Sequence, residues 1–339
     1  MLARISPQTL RILALLAVVL AVLLFFSTQV PNYLNGRLFN RISSSVAIMA
    51  LIACGQTLVI LTRNIDLSIG SIVGFVAFAT GSLITNNPEL GPVLLVSYSI
   101  ILGACFGVVN GLLVAFLRIP SIIVTLATMA LFRSSLVEYS DAKSITTGNL
   151  PEWLISFPNY KVLTFGTLQL RAGFLVAVLV VIAVHIALTH LRPARKLYAV
   201  GSNPEAAEMA GINTKLVVLS AFACAGALAG LAGFMFLARF GTITVVAGLG
   251  IELKSVAASV VGGVNIFGGS GTVIGALLGA ILVDLIDMSL VRWALVSEFW
   301  REAVLGTLIL LSVAADAILM RRLIALRVAR EKTTKENAP

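Results

Sequence analysis

Three carboxylates stand among apolar neighbours: Asp66 at the head of one apolar run, and Asp284 and Asp287 inside another. Asp284 and Asp287 are three residues apart, so on a helix they share a face. A carboxylate pair inside a membrane is apparatus for proton or sodium coupling. These two fall toward one end of their run with Arg292 close behind, which favours a solvated position at the mouth of a helix. In TRNIDLSIGS at 62–71, Asp66 is placed to cap the helix that follows, and Arg63 is placed to neutralise it. Such a polar helix start has a second use. Asn64, Asp66 and Ser68 offer hydrogen bonds with little fixed charge, as an uncharged sugar needs along a permeation path. Gly268 and Gly269 stand in a matching break, because GSIVG at 70–74 is echoed by GTVIG at 271–275. Both begin a helix after a polar or glycine-rich interruption, where transporters often place sites.

Other chemistry is poorly supplied. His185 and His190 are the two histidines, and Cys54, Cys105 and Cys224 fall singly in apolar runs without a C-x-x-C partner. They read as small buried residues, with no metal centre or disulfide framework expected. No G-x-x-x-x-G-K-[ST] occurs, so ATP is not expected to bind by a P-loop here. GGSGTVIG at 268–275 lacks the preceding strand and third glycine of a dinucleotide fingerprint. No nucleophile–base pair argues for an intramembrane enzyme, and neither enzymatic activity nor a cofactor is expected.

The elements that must position these residues follow from composition. Hydrophobic residues make up 59% and charged residues 12% of the 339, against about 25% charged in a soluble domain. A membrane crossing takes ~20 mostly apolar residues. Ten such segments are read, at about 10–29, 44–62, 67–85, 92–117, 121–138, 171–190, 214–238, 252–267, 271–290 and 300–320. Each is helical, because open strands leave backbone groups unsatisfied in lipid. The expected fold class is an all-α polytopic membrane protein, one transmembrane domain over 1–339. The run from Ile12 to Phe26 has no small-x-small cleavage site after it and reads as an uncleaved first helix. The net charge of +9 is concentrated in a basic tail at 321–339, which fixes the cytoplasmic side of the last helix and is not a nucleic-acid site.

With both termini in the cytoplasm, Arg63, Arg118 and the 191–215 loop fall inside, while Arg37 and Arg41 lie on the side where basic residues are scarce. The 139–170 loop is external, with Trp153 placed to anchor at the interface. Gly103, Gly107 and Gly111 recur every four residues, as do Gly271, Gly275 and Gly279, and Gly226 with Gly230. That spacing lines one helix face for close packing.

The most distinctive polar stretch is GSNPEAAEMAGIN at 201–213. Asn203 is placed to cap a helix, Pro204 suits its first turn, and Gly211 suits a left-handed ending. Glu205 and Glu208 lie near the positive end of its dipole. Ala206, Ala207 and Ala210 are small enough for a partner to approach closely. A short stable helix outside the bilayer is expected, built to touch something in the cytoplasm.

GSNPEAAEMAGI, GQTLVILTRNIDLSIGSIVG at 55–74 and VVGGVNIFGGSGTVIGALLGA at 260–280 occur in the order found in the permease subunits of bacterial carbohydrate ABC importers. The chain resembles this family from about residue 44 to 320. LTRNIDLSIGS is closest to the autoinducer-2 and rhamnose permeases; many relatives have glycine where Arg63 and Asn64 stand. The resemblance implies a multi-pass inner-membrane protein that moves rhamnose, autoinducer-2 or a pentose. It implies a second permease subunit, identical or homologous, an ATP-binding subunit at the cytoplasmic face and a periplasmic sugar-binding protein, within membrane lipid. It also implies that the 201–213 loop couples to the ATPase through Asn203, Glu205, Ala206, Ala207, Glu208, Ala210 and Gly211. The alternative is an ion-coupled secondary transporter of a small polar solute relying on Asp66, Asp284 or Asp287.

Overall fold

In the computed structural model, the described residues are 7–293 together with 297, 300, 302–304, 306–307 and 310–311. The span expected at 300–320 lies for the most part outside them, and the tail at 321–339 entirely so.

Eight of the described helices are long and apolar enough to cross a bilayer. They are α1 (Pro7–Gln29), α2 (Gly36–Leu61), α3 (Ile69–Asn86), α4 (Pro92–Ala115), α5 (Ser121–Ser140), α7 (Ala172–His190), α10 (Thr214–Phe240) and α12 (Val273–Arg292). Between them lie three short helices, α6 (Glu152–Ser156), α8 (Arg192–Ser202) and α9 (Pro204–Met209), and a further one, α11 (Ile251–Val261).

α2 is the central post. It is apolar on every side and buried along nearly its whole length from Val46 to Leu61, with α10, α12, α7 and α11 around it. A helix hydrophobic all round belongs inside a bundle rather than at its edge. The glycine spacing acts as read. A Cβ at Gly103 would lie 2.3 Å from the Gly226 carbonyl oxygen, and one at Gly107 would lie 2.2 Å from the Phe222 oxygen, so α4 and α10 meet backbone to backbone. Likewise, a Cβ at Gly279 would lie 1.9 Å from the Ala258 oxygen of α11. Gly271 departs from this set: it sits in the turn before α12 at φ 141°.

The helical expectation needs two corrections. The 139–170 loop contains an antiparallel hairpin, β1 (Lys161–Phe165) with β2 (Leu168–Arg171). It rests on the first turns of α2, where Asn40 Oδ1 accepts from the Gln169 amide at 3.1 Å. Trp153 packs partly buried against the main core. The second correction concerns the crossing read at 252–267. That stretch is not one continuous helix: an irregular stretch, 241–250, leads into the 11-residue α11, which ends at Val261. Ile243 pairs with Ile145 near one end of the bundle, and α11 ends at Gly262 against Gly275 near the other. Eleven residues rise only ~16 Å, about half of the ~30 Å hydrocarbon core. Irregular backbone survives at such depth only if its polar groups find partners in protein. Arg133 of α5 supplies them, donating to the carbonyls of Val245 and Ala247 at 2.9 and 2.6 Å.

The cysteine expectation holds for Cys54, which is buried; Cys105 and Cys224 are exposed on α4 and α10.

Candidate functional site

The 201–213 stretch folds as its residue types dictate. Asn203 Oδ1 accepts from the Ala206 amide at 3.0 Å, and Pro204 opens α9. At its other end Gly211 takes φ 78°, the Gly211 amide donates to the Glu208 carbonyl at 2.9 Å and the Ile212 amide to the Ala207 carbonyl at 3.0 Å. Those two bonds form a Schellman ending, which consumes carbonyls the helix leaves unpaired. Asn213 then caps α10 by accepting from the Leu216 amide at 3.1 Å, and Thr214 Oγ1 donates to Glu208 Oε1 at 2.6 Å. α9 is thus a rigid two-capped corner.

Its outward face is Glu205, Ala206, Glu208, Ala210 and Met209, the last 90% exposed. Ala207 corrects the expectation. It is only 5% exposed and packs into the chain's own core, so its small size serves the permease rather than a partner's approach. An amphipathic helix of six residues must turn one position inward, and that position is 207.

α8, which delivers α9, is clasped to the membrane helices. Gly201 lies so close to the end of α2 that a Cβ there would be 1.7 Å from the Leu61 oxygen. That same oxygen accepts from the Gly269 amide at 3.1 Å. Arg63 donates from Nε to the Gly201 carbonyl at 2.5 Å and from an Nη to the Ser202 carbonyl at 2.6 Å. Tyr198 donates to the Gly271 carbonyl at 3.0 Å, and burial pushes its pKa up, which keeps the donor proton in place. Three segments therefore meet at one point: the break after α2, the end of α8 and the glycine turn before α12. Gly268 and Gly269, at φ 82° and 73°, abut Arg63 and Ser202.

Arg63 is not the counter-ion of Asp66. It holds φ 65°, a left-handed conformation natural to glycine, and its guanidinium is spent on α8. Asp66 is fully buried, and its Oδ1 accepts from the Ser68 amide at 2.8 Å and hydroxyl at 2.7 Å. This Asx turn precedes the helix; Ser68, not Asp66, occupies the cap position, and it makes no side-chain cap bond. Asn110 of α4 donates to the Ser68 hydroxyl at 2.7 Å. Ser121 Oγ accepts from the Ile65 amide at 3.2 Å. With its amide oriented to match, Gln56 donates to the Asp66 carbonyl at 3.1 Å and accepts from the Asp66 amide at 3.2 Å. Asp66 Oδ2 and Asn110 Oδ1 keep no partner. Gln56, Asn110 and Ser121 escaped the sequence reading, although buried polar side chains in apolar runs are a signal in themselves.

The five residues read as a path thus separate. Asp66 and Ser68 are sealed in the knot between α2, α3 and α4. Gly268 and Gly269 join the clasp. Asn64 lines a cleft of ≈ 420 Å³ whose charged rim is Arg63, Arg118, Glu205, Glu208 and Lys215. The cleft connects the break after α2 directly to α9.

Asp284 and Asp287 do not lie at a solvated mouth. Asp284 is 5% exposed with Oδ2 unpartnered. Asp287 pairs with Lys254 of α11 at 3.0 Å, both largely buried. Arg292 instead lies over the Tyr33 ring, 5.5 Å from its centroid. The cause is the short α11, which runs alongside α12 and places Lys254 opposite Asp287.

Among the described residues, eight long apolar helices with a short broken helix packed between them and a capped corner clasped at one end form the architecture of a multi-pass permease. Residues 38–313 match the family described as branched-chain amino acid transport system / permease component, and the chain belongs to that family. It is 36% identical over 330 residues to the autoinducer 2 import system permease protein LsrC of Yersinia enterocolitica, covering 96% of this chain and 88% of the relative. It is 38% identical over 309 residues to the protein of the same name in Escherichia coli (90% and 86%), and 37% identical over 311 residues to that of Enterobacter sp. (91% and 88%). No solved structure matches.

Proposed function

We propose that this permease is the membrane subunit of an ATP-driven importer for autoinducer-2 or a similarly small carbohydrate. The observation that carries the reading is the clasp: α9 is rigid, exposed and fastened through Gly201, Ser202 and Arg63 to both broken membrane segments. A push on α9 must reach the membrane helices there. The relatives named for autoinducer-2 import supply the substrate class.

In this reading α9 seats in an ATP-binding subunit through Glu205, Ala206, Glu208, Met209 and Ala210, while Asn203, Ala207 and Gly211 hold its shape. Both termini lie in the cytoplasm, ten crossings span the inner membrane, and residues 1–339 are one transmembrane domain. A second permease subunit completes the channel and a periplasmic binding protein delivers the sugar. Asn64 faces the path at its inner end. Asp66 and Ser68 join it when the knot opens, and Gly268 and Gly269 give the hinge its backbone freedom. ATP hydrolysis belongs to the partner.

A second reading, ion-coupled transport, is favoured by one observation, the buried unpartnered oxygen of Asp284. Uptake into proteoliposomes containing the chain and its partners separates the two. Autoinducer-2 uptake is expected to require internal ATP and external binding protein, and to survive collapse of proton and sodium gradients. Uptake driven by an imposed gradient without ATP would establish the second reading.

A further inference from the structure

Arg37 and Arg41 have no task in the account above. α2 is 26 residues long, or ~39 Å, so its first turns lie at the opposite end of the bundle from the clasp. α12 starts beside the clasp and ends at that same far end with Arg292. There the three arginines meet around a pocket of ≈ 310 Å³, with Leu38, Met288 and Val291 in its wall. Arg37 and Arg41 are exposed and make no hydrogen bond or ion pair among the described residues. Arg292 donates to the carbonyls of Tyr33 and Asn32, at 3.4 and 3.5 Å, and lies over the Tyr33 ring. Three guanidinium groups with no carboxylate among the described residues that line the pocket, at a membrane–water boundary, repel one another until an anion joins them.

An apolar groove of ≈ 390 Å³ adjoins this pocket on the same two helices. Val19 and Leu23 of α1, Ile42 and Val46 of α2, Phe174 of α7 and Leu285 of α12 line it. Ile281, Leu285, Met288 and Arg292 recur at i, i+4, i+7 and i+11, so they form one stripe along α12. The first two line the groove and the last two line the pocket. The stripe rises ~16 Å, about one leaflet of a ~30 Å hydrocarbon core.

We propose that pocket and groove together bind one anionic phospholipid. Its phosphate sits among Arg37, Arg41 and Arg292, and an acyl chain lies in the groove. The pairing of a charged pocket with an apolar groove, along a stripe one leaflet long, selects this occupant. A soluble anion leaves the groove empty, and an acidic protein surface has nothing to place in it. Basic residues on the side where they are scarce then mark a lipid site.

The test is native mass spectrometry of the full-length chain in neutral detergent. The probes are phosphatidylglycerol and phosphatidylcholine with identical acyl chains, and inorganic phosphate as competitor. Wild type is expected to retain phosphatidylglycerol over phosphatidylcholine by about tenfold or more, and Arg37→Gln with Arg41→Gln to lose about tenfold of that retention, from two basic groups near a lipid surface. Inorganic phosphate is expected not to displace the lipid. Equal retention of both lipids by wild type would overturn the proposal without any variant. So would undiminished retention by the double variant, or displacement by inorganic phosphate. Loss of binding-protein-stimulated uptake with lipid retention intact would assign the pocket to protein docking instead, and loss of a dimer without loss of lipid would assign it to a second copy.

Discussion

Arg63 joins two parts of the chain that are 138 residues apart in sequence, and it does so from a backbone conformation that glycine adopts more easily. The strain is offset by two charge-assisted bonds to the end of α8, each worth about 1.5–3 kcal/mol. Arg63→Ala and Arg63→Gly should both loosen α8, since both lose the guanidinium, with Arg63→Gly the more stable of the two because only glycine relieves the backbone. Amide hydrogen exchange at residues 202–213 is expected to rise about tenfold or more in either variant, with exchange in α4 and α10 unchanged. Protection equal to wild type would show that α8 is held by packing alone. The Asp287–Lys254 pair calls for a different design, because removing one member of a buried pair costs about 3–5 kcal/mol while replacing both is often neutral; partial exposure lowers the first figure here. Asp287→Asn should reduce the amount of protein in the membrane, and Asp287→Leu with Lys254→Met should restore it along with ATP-driven uptake. A restored protein with no uptake would mean that the pair carries ions. The sequence showed Asp287 and its spacing from Asp284 but not its partner. Lys254 reaches it only because α11 is short and lies beside α12, a tertiary fact that no local pattern encodes.

Elements are where sequence and structure agree most closely, and where they part the reason is specific. Glycines four apart announce a helix face without side chains, and α4 and α10 use them that way. Gly107→Ala is expected to push the two helices apart, since its Cβ would lie 2.2 Å from the Phe222 oxygen; Gly91→Ala, with nothing within 4 Å, is the control. The expected result is a lower melting temperature for the first and none for the second. Equal melting temperatures would mean that α4 is free to slide. Caps were equally legible: Asn203, Pro204 and Gly211 each do locally what their chemistry requires. Asp66 was misassigned because an Asx turn and a helix cap look alike in sequence, both being an acid two or three residues before an apolar run. The stretch read at 252–267 was taken for one continuous helix because hydropathy sees apolar content, not the arginine of α5 that holds the irregular backbone before α11.

For the whole molecule, the two polar breaks were each visible, but their meeting was not. The break after α2 and the turn before α12 are some two hundred residues apart in sequence, as Gly269 bonding Leu61 records, and only the bundle brings them to α8. That convergence makes α9 the point where force from a partner enters the membrane helices in the proposed mechanism. The outward position that tests it is Ala206, because Ala207 faces inward and would report folding instead. The most direct measurement is autoinducer-2 uptake and ATPase rate for Ala206→Trp in vesicles holding every subunit, with membrane abundance and melting temperature as controls. The account predicts wild-type abundance and stability, with uptake reduced about tenfold or more because the bulky ring keeps α9 out of its groove. Wild-type uptake with normal ATP consumption would contradict it.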